Sequence, residues 1–155
     1  LRQLSPVHNE NYTCLPGFVI SNKHNDQLKL KNITLGISEI QTNDVIDINP
    51  DGRFIWRGRV DNVVNSGGVK LHPEVIERKI KSLYPELPPF VLVGIADMKW
   101  GEKLVLFHEK ELFLSKLEMD LLKMKLDKYE FPKEVKKVSK LDRTKTGKVI
   151  RRNYN

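Results

Sequence analysis

Cysteine is nearly absent from this sequence, as are other marks of a secreted, metal-binding or membrane protein. Cys14 is the only cysteine among 155 residues, which excludes a disulfide framework and a cysteine-based zinc site. The four scattered histidines lack the spacing of a helical metal pair: His8, His24, His72 and His108. No apolar run approaches the roughly 18 residues of a membrane helix, and no signal segment is recognisable. These absences favour a cytoplasmic protein with no metal site of its own.

The charge balance is basic, with 27 Lys and Arg against 20 Asp and Glu and a net charge of +7. Such a chain favours acidic partners, among them nucleic acids, nucleotides and phosphorylated small molecules. A base-stacking platform would need aromatic residues interleaved with the basic ones, and these are mostly missing. Nucleic acid is therefore not the expected partner, although a small basic nucleic-acid-binding module stays open as an alternative.

Residues 1–58 read as β-structure. Strand-favouring runs occur at 18–20, 28–30 and 44–48. The run 49–52, Asn-Pro-Asp-Gly, is a strong turn signal, and it should join the last of these strands to another at 53–56. Because no helix is predicted to cover a second face, we expect this segment to be the end of a larger β-rich domain.

Residues 59–155 are predicted to form a small α+β domain, a three-stranded sheet with helices. Pro73 suits the first position of a helix, and apolar positions recur along it. The three strands are expected at 90–96, 103–107 and 135–138. A capping box at Ser115–Glu118 predicts a second helix, which ends near Tyr129. Its expected core-facing residues are Leu117, Leu121, Leu122 and Met124.

The most informative stretch is 141–152, in which Lys148 directly follows a Thr-Gly pair. A lysine on a short flexible loop can reach into a site built elsewhere and neutralise a phosphate or carboxylate. A nucleotide-cradling P-loop would need glycine at 142 and Ser or Thr at 149. The chain has Asp142 and Val149 there, so that motif is excluded. A solvated turn lysine is the simpler alternative.

Two further motifs precede this lysine, Gly58-Arg59-Val60-Asp61 and Ser66-Gly67-Gly68. Together the three resemble the acyl-adenylate-forming ligases, which include the acyl- and aryl-CoA synthetases. The run 56–70 is most similar to the o-succinylbenzoate–CoA ligases of menaquinone synthesis. The resemblance covers residues 40–152 well and implies the C-terminal part of an AMP-binding acyl-CoA synthetase.

The resemblance implies a domain division as well. Residues 1–58 would be the C-terminal end of the large adenylation domain, and 59–155 a mobile C-terminal lid domain with its hinge near 59–61. The chain starts at Leu1 rather than at Met, and we expect the rest of the N-terminal adenylation domain to be missing. The 155 residues alone are expected to be catalytically inactive.

Adenylation roles are implied for three residues. In these ligases the motif lysine contacts the substrate carboxylate and the α-phosphate, which makes Lys148 the expected catalytic residue. Asp44 stands at the family's Thr-Gly-Asp, whose aspartate binds the ribose hydroxyls of ATP, and Arg59 would contact the nucleotide. Asn43 replaces the family's glycine, but Asn also tolerates a left-handed backbone, so a turn is expected there. A plain turn before a strand is the alternative for Asp44.

The remaining implied roles concern motion and thioester formation. Asp61 would be the residue whose backbone rotates when the small domain moves. An aspartate that caps a turn is the alternative interpretation. Ser66, Gly67 and Gly68 match the loop that lines the pantetheine tunnel, although paired glycines suit any tight hairpin. Asp142 replaces the family's usual proline, which should loosen the loop before the lysine.

The implied reaction has two steps. ATP and a carboxylic acid give an acyl-adenylate and pyrophosphate, and the thiol of coenzyme A then displaces AMP. Mg²⁺ would sit on the phosphates, bound mainly by residues outside this chain. Because the acid pocket also lies outside it, another acyl- or aryl-CoA synthetase is the alternative to the o-succinylbenzoate enzyme.

Overall fold

The structure is a computed structural model that describes residues 11–23, 26–110, 116–151 and 154. The chain divides into two compact units, Leu1–Asp61 and Asn62–Asn155. The predicted α+β class is confirmed, because the described residues form strands in the first unit and strands with two α-helices in the second. The predicted domain boundary and hinge stay predictions. No helix in the described ranges is long and apolar enough to cross a membrane.

The first unit is an antiparallel sheet in the order β1-β5-β4-β3-β2. Its strands are β1 Asn11–Tyr12, β2 Val19–Lys23, β3 Gln27–Asn32, β4 Ile37–Ile48 and β5 Phe54–Arg59. The predicted hairpin at 49–52 is present. The N–H of Asn49 donates to the carbonyl of Arg53 at 2.7 Å, and Gly52 has a φ of +80°. Val45 and Ile46 are buried at the end of β4 nearest this hairpin.

The turn predicted at residues 42–44 is wrong. Thr42, Asn43 and Asp44 lie inside β4, which runs without a break from Ile37 to Ile48. Asn43 is not in the left-handed region, because Asp26 is the only non-glycine residue of the described chain with positive φ. Pairing with strands on both sides holds β4 extended here, so neighbouring strands override the local turn signal.

The second unit is built on a mixed sheet. Its elements are β6 Val64–Ser66, β7 Val69–Leu71, α1 Pro73–Leu83, β8 Phe90–Asp97, β9 Gly101–His108, α2 Lys116–Lys125 and β10 Glu134–Lys137. The three predicted strands are β8, β9 and β10, with β8 antiparallel and β10 parallel to β9. The described sheet nevertheless has five strands, because β6 and β7 join it through a Ser66–Gly101 pair. The prediction of three strands is therefore wrong. β6 and β7 have three residues each, which is too few for the alternation of apolar and polar residues that predicts a strand.

Both faces of this sheet are covered. One face packs against the helices through a cluster that includes Ile76, Ile80 and Leu92. The other carries Val105 and Phe107 and is covered by the C-terminal segment, where Leu141 is fully buried. The side chains of Val149 and Tyr154 pack against the same cluster. The chain on both sides of Lys148 is thus anchored in an apolar core.

The predicted core face of α2 is partly wrong. Leu121 and Met124 are 43% and 81% exposed, whereas Leu122 and Leu126 are buried. An i, i+4 pair shares one side of a helix, so the buried stripe runs through Leu122 and into Leu126, just beyond the helix end at Lys125. The helix therefore ends before Tyr129. The capping box and Leu117 lie outside the described side chains.

This burial pattern predicts opposite outcomes for neighbouring leucines. Leu122→Ala should lower the free energy of unfolding by about 2–5 kcal/mol, because it opens a cavity in the core. Leu121→Ala should change it by no more than about 0.5 kcal/mol, as is usual for surface substitutions. Urea unfolding of the two variants followed by circular dichroism measures both. Equal losses would contradict the core face described for α2.

Candidate functional site

The structure brings together three of the predicted site residues at one end of the β4–β5 pair. Val45 pairs with Gly58 and Ile46 with Trp56, so Arg57 is an extra residue on β5. This bulge shifts the register by one position and places Arg59 opposite Asp44. Directly opposed residues of antiparallel strands share a face of the sheet. The predicted nucleotide contacts, a carboxylate and a guanidinium, therefore lie side by side.

Asp61 is connected to the same end of the sheet. Its carboxylate accepts hydrogen bonds from Asn43 Nδ2 at 3.2 and 3.3 Å and from Arg59 Nη2 at 3.3 Å. The asparagine that replaces the expected glycine thus contacts the predicted hinge residue. Nothing in the sequence indicated this contact, because it depends on how β4 and β5 pair.

Asp44 is oriented by a residue that sequence reasoning treated only as part of a motif. Trp56 Nε1 donates a hydrogen bond to Asp44 Oδ1 at 3.1 Å. A carboxylate has several acceptor positions on its two oxygens. This bond therefore orients the Asp44 carboxylate and leaves acceptor positions for further hydrogen bonds. Asp44 is half-buried and Arg59 is exposed. This arrangement can accept hydroxyl groups at the carboxylate and hold an anion at the guanidinium.

Lys148 lies at the end of a closed hairpin in the second unit. The N–H of Thr144 donates to the Lys148 carbonyl at 2.8 Å, and the N–H of Gly147 donates to the Thr144 carbonyl at 2.9 Å. Gly147 supplies the positive φ, +84°, that the turn requires. The lysine side chain is exposed, and its ammonium pairs with no acidic group among the described residues. It is a cation held on a defined backbone and available to an external anion.

The loosening predicted from Asp142 is not what the structure shows. The N–H of Asp142 donates to the Tyr154 hydroxyl at 2.8 Å, and its carbonyl accepts from the N–H of Ile150 at 2.8 Å. A proline has no N–H to donate. The replacement therefore adds a hydrogen bond that ties the base of the hairpin to the C-terminal segment.

Ser66, Gly67 and Gly68 form the tight hairpin between β6 and β7. Gly67 and Gly68 have φ values of +60° and +81°, the pattern of a two-residue type I′ turn. Both glycines are exposed, but Ser66 is only 1% exposed. The N–H of Gly67 donates to the carbonyl of Trp100 at 2.8 Å. The turn is thus fixed against the start of β9.

The Trp100 ring covers one side of this turn. A Cβ atom added at Gly67 would lie 3.0 Å from Trp100 Cε3, and the ring meets Tyr129 edge to face at 6.4 Å. Trp100 is therefore a packing residue at this turn. The position of its ring also means that Gly67 is required for close approach as well as for its backbone conformation.

No group of three or more His, Cys, Asp or Glu side chains could hold a metal ion within the described ranges. The chemistry that the described side chains offer is charge neutralisation and hydrogen bonding.

Comparisons with known proteins give a consistent picture. No protein-family model matches the chain. The 2-succinylbenzoate–CoA ligase of Lactococcus lactis is 32% identical over 112 residues, 72% of this chain and 24% of that protein. An AMP-forming acyl-CoA synthetase/AMP-acid ligase II-like protein from Dyadobacter fermentans shares the fold with a TM-score of 0.55 and 28% identity, over 96% of this chain and 43% of that one. The o-succinylbenzoate–CoA synthetase of Bacillus subtilis, solved with its acyl-adenylate intermediate, gives a TM-score of 0.78 at 19% identity, over 90% of this chain and 34% of that one.

In sequence and fold the chain is therefore similar to part of an AMP-forming acyl-CoA synthetase, the class that its motifs predicted. Among these enzymes it resembles the 2-succinylbenzoate–CoA ligases, and that prediction is confirmed too. The chain spans about a quarter of the length of these curated relatives.

Proposed function

We propose that this chain is the C-terminal part of an ATP-dependent acid–CoA ligase. Residues 1–58 would complete a large adenylation domain, and residues 59–155 would be its mobile lid, with the hinge near 59–61. The observation that carries the proposal is the Lys148 hairpin, which presents an exposed cation on an anchored backbone. Its partner would be the preceding adenylation domain, which supplies the phosphate loop and acid pocket.

In the first step the substrate carboxylate attacks the α-phosphorus of ATP. A new oxygen–phosphorus bond forms, and the bond to pyrophosphate breaks. Two anions must approach each other, and the ammonium of Lys148 would offset their repulsion. Asp44 would accept the ribose hydroxyls, held in place by its hydrogen bond from Trp56. Arg59, on the same face of the sheet, would contact the nucleotide.

In the second step the thiol of coenzyme A attacks the acyl carbonyl. A carbon–sulfur bond forms, and the carbon–oxygen bond to AMP breaks. Rotation about Asp61 would exchange the Lys148 hairpin for the hairpin of Gly67 and Gly68, along which pantetheine would enter. The contacts of Asp61 with Asn43 and Arg59 would then belong to one of two conformations.

The acid we propose is 2-succinylbenzoate, as in the curated relatives. The support is the 32% identity over 112 residues of this chain to the 2-succinylbenzoate–CoA ligase of Lactococcus lactis. Mg²⁺ would enter with ATP, held by residues of the adenylation domain. The 155 residues alone should turn over no ATP, because they lack the phosphate loop and the acid pocket.

The test uses the full-length ligase with ATP, Mg²⁺, coenzyme A and 2-succinylbenzoate. We expect AMP and the 2-succinylbenzoyl thioester in equal amounts, and no ATP consumption by residues 1–155 alone. AMP formation only with other acids would support an acid–CoA ligase but contradict 2-succinylbenzoate as its substrate. No adenylation with any acid, together with DNA or RNA binding that falls steeply with salt, would replace the proposal by a nucleic-acid-binding module.

A further inference from the structure

A buried ionic cluster connects the lysine hairpin to helix α1. Arg151 Nη2 lies 2.7 Å from Glu77 Oε2, and its Nη1 lies 3.7 Å from Glu74 Oε1. Glu77 also accepts a hydrogen bond from the N–H of Leu92 at 2.8 Å. Both carboxylates are buried. One guanidinium is thus shared by two acidic groups, three residues beyond Lys148.

The cluster continues to the first residue of the second unit. Asn62 Nδ2 donates to Glu74 Oε1 at 2.5 Å, and Asn62 directly follows the proposed hinge residue, Asp61. Four side chains therefore make a continuous polar link: Asn62, Glu74, Arg151 and Glu77. The link joins the residue after the hinge to the hairpin that carries Lys148.

A contribution to folding stability does not explain this buried ionic cluster. Glu74 Oε2 and Arg151 Nε are buried and have no hydrogen-bond partner within the described residues, which is unfavourable for polar atoms. Burial also raises the pKa of Glu77, against the opposing influence of Arg151 and the Leu92 N–H. Buried ion pairs are often no more stabilising than apolar residues of similar volume. A role in geometry explains why two carboxylates and a guanidinium occupy this place.

The cluster is one of several attachments of the hairpin among the described residues, and it is the one made by ion pairs with α1. On the other side, Leu141 is fully buried, and its N–H donates to Glu109 Oε1 at 2.7 Å. Removing Arg151 would leave the apolar packing of Val149 in place but would remove the ionic contacts that fix this side of the hairpin to α1. A shift near 1 Å at a reacting group can lower a rate by about 100-fold.

We infer that Arg151 is a positioning residue for adenylation, because it fixes the Lys148 hairpin to Glu74 and Glu77 and, through Glu74, to Asn62. The hairpin and the residue after the hinge then move as one piece. This inference rests on the proposed function, in which Lys148 acts in the first step only.

The test measures both half-reactions separately in the full-length ligase carrying Arg151→Gln. Adenylation should fall roughly 10- to 100-fold, whereas thioester formation from preformed acyl-adenylate should stay unchanged. In a Lys148→Ala background, the same substitution should cause no further loss of residual adenylation, because residues that act as a unit are not additive. Lys79→Gln is the matched control, since it breaks another α1 ion pair, with Glu130 at 2.5 Å, and should change neither step.

Arg151→Lys keeps the experiment informative if Arg151→Gln does not fold. Lysine retains the charge but not the fork that spans two carboxylates, so adenylation should fall less while thioester formation stays intact. Equal losses in both steps, or additive losses with Lys148→Ala, would make Arg151 merely structural and overturn the inference. If Lys148→Ala itself adenylates normally, the proposed function fails. If Lys148→Ala is inactive and Arg151→Gln is not, only the inference fails.

Discussion

Lys148→Ala in the full-length ligase should lower the rate of acyl-adenylate formation roughly 100- to 1,000-fold, the usual loss when one group aimed at developing charge is removed. The effect should be large because the ammonium is exposed on an anchored hairpin and pairs with no acidic group among the described residues. Thioester formation from preformed acyl-adenylate should continue at the normal rate. Pyrophosphate release and thioester formation, followed separately, measure the two steps.

Lys145→Ala is the matched control for this prediction. Lys145 lies in the same hairpin and is also exposed, and its removal changes the net charge by the same amount. It should leave adenylation near the wild-type rate. If both variants lose adenylation equally, the general positive charge of the hairpin matters rather than one aimed ammonium. If neither variant loses adenylation, Lys148 has no catalytic role.

The motifs named candidate residues but could not indicate how these are held together. Asp44 and Arg59 were both predicted from short sequence patterns. Their placement opposite each other depends on the extra residue, Arg57, in β5, and a bulge leaves no periodic signal in the sequence. The contact between Asn43 and Asp61 arises from the same pairing.

Long-range polar contacts are the second kind of feature that the sequence did not reveal. Glu77 and Arg151 are 74 positions apart, yet they form a close ion pair. On sequence alone Glu77 reads as a helix-surface or ion-pair residue, and its partner is not identified. A charged side chain is buried only when a partner reaches it, and this partner is distant in the sequence. The apolar stripe of α1 was readable from its own residues. The apolar face of α2 was predicted from residues within the helix alone. Its buried side continues from Leu122 to Leu126, which lies just beyond the helix end.

The Lys148 hairpin and the hairpin between β6 and β7 place different requirements on their glycines. Gly147 needs only a left-handed backbone, since an added Cβ would meet nothing within 4 Å. Gly67 needs both that backbone and the space beneath the Trp100 ring. A side chain at Gly67 should therefore displace the turn itself, and under the proposed function this turn serves only the thioester step.

Gly67→Val should thus slow the thioester step and spare adenylation, the reverse of the result expected for Lys148→Ala. A branched side chain at a φ of +60° is strained, and its Cβ would already lie 3.0 Å from the Trp100 ring. Displacing the turn by about 1 Å should lower thioester formation from preformed acyl-adenylate by roughly 100-fold, with adenylation unchanged. Rapid-quench measurement of each half-reaction in the full-length ligase tests this.

Gly36→Val separates backbone strain from the contact with Trp100. Gly36 has a similar φ, +67°, in a turn where an added Cβ would meet nothing within 4 Å. It should therefore carry the strain of a left-handed valine and leave both half-reactions intact. If Gly67→Val slows the two steps equally, the hairpin only supports the fold. If it slows the thioester step alone, the hairpin acts where coenzyme A enters, and the reaction is divided between this hairpin and the Lys148 hairpin.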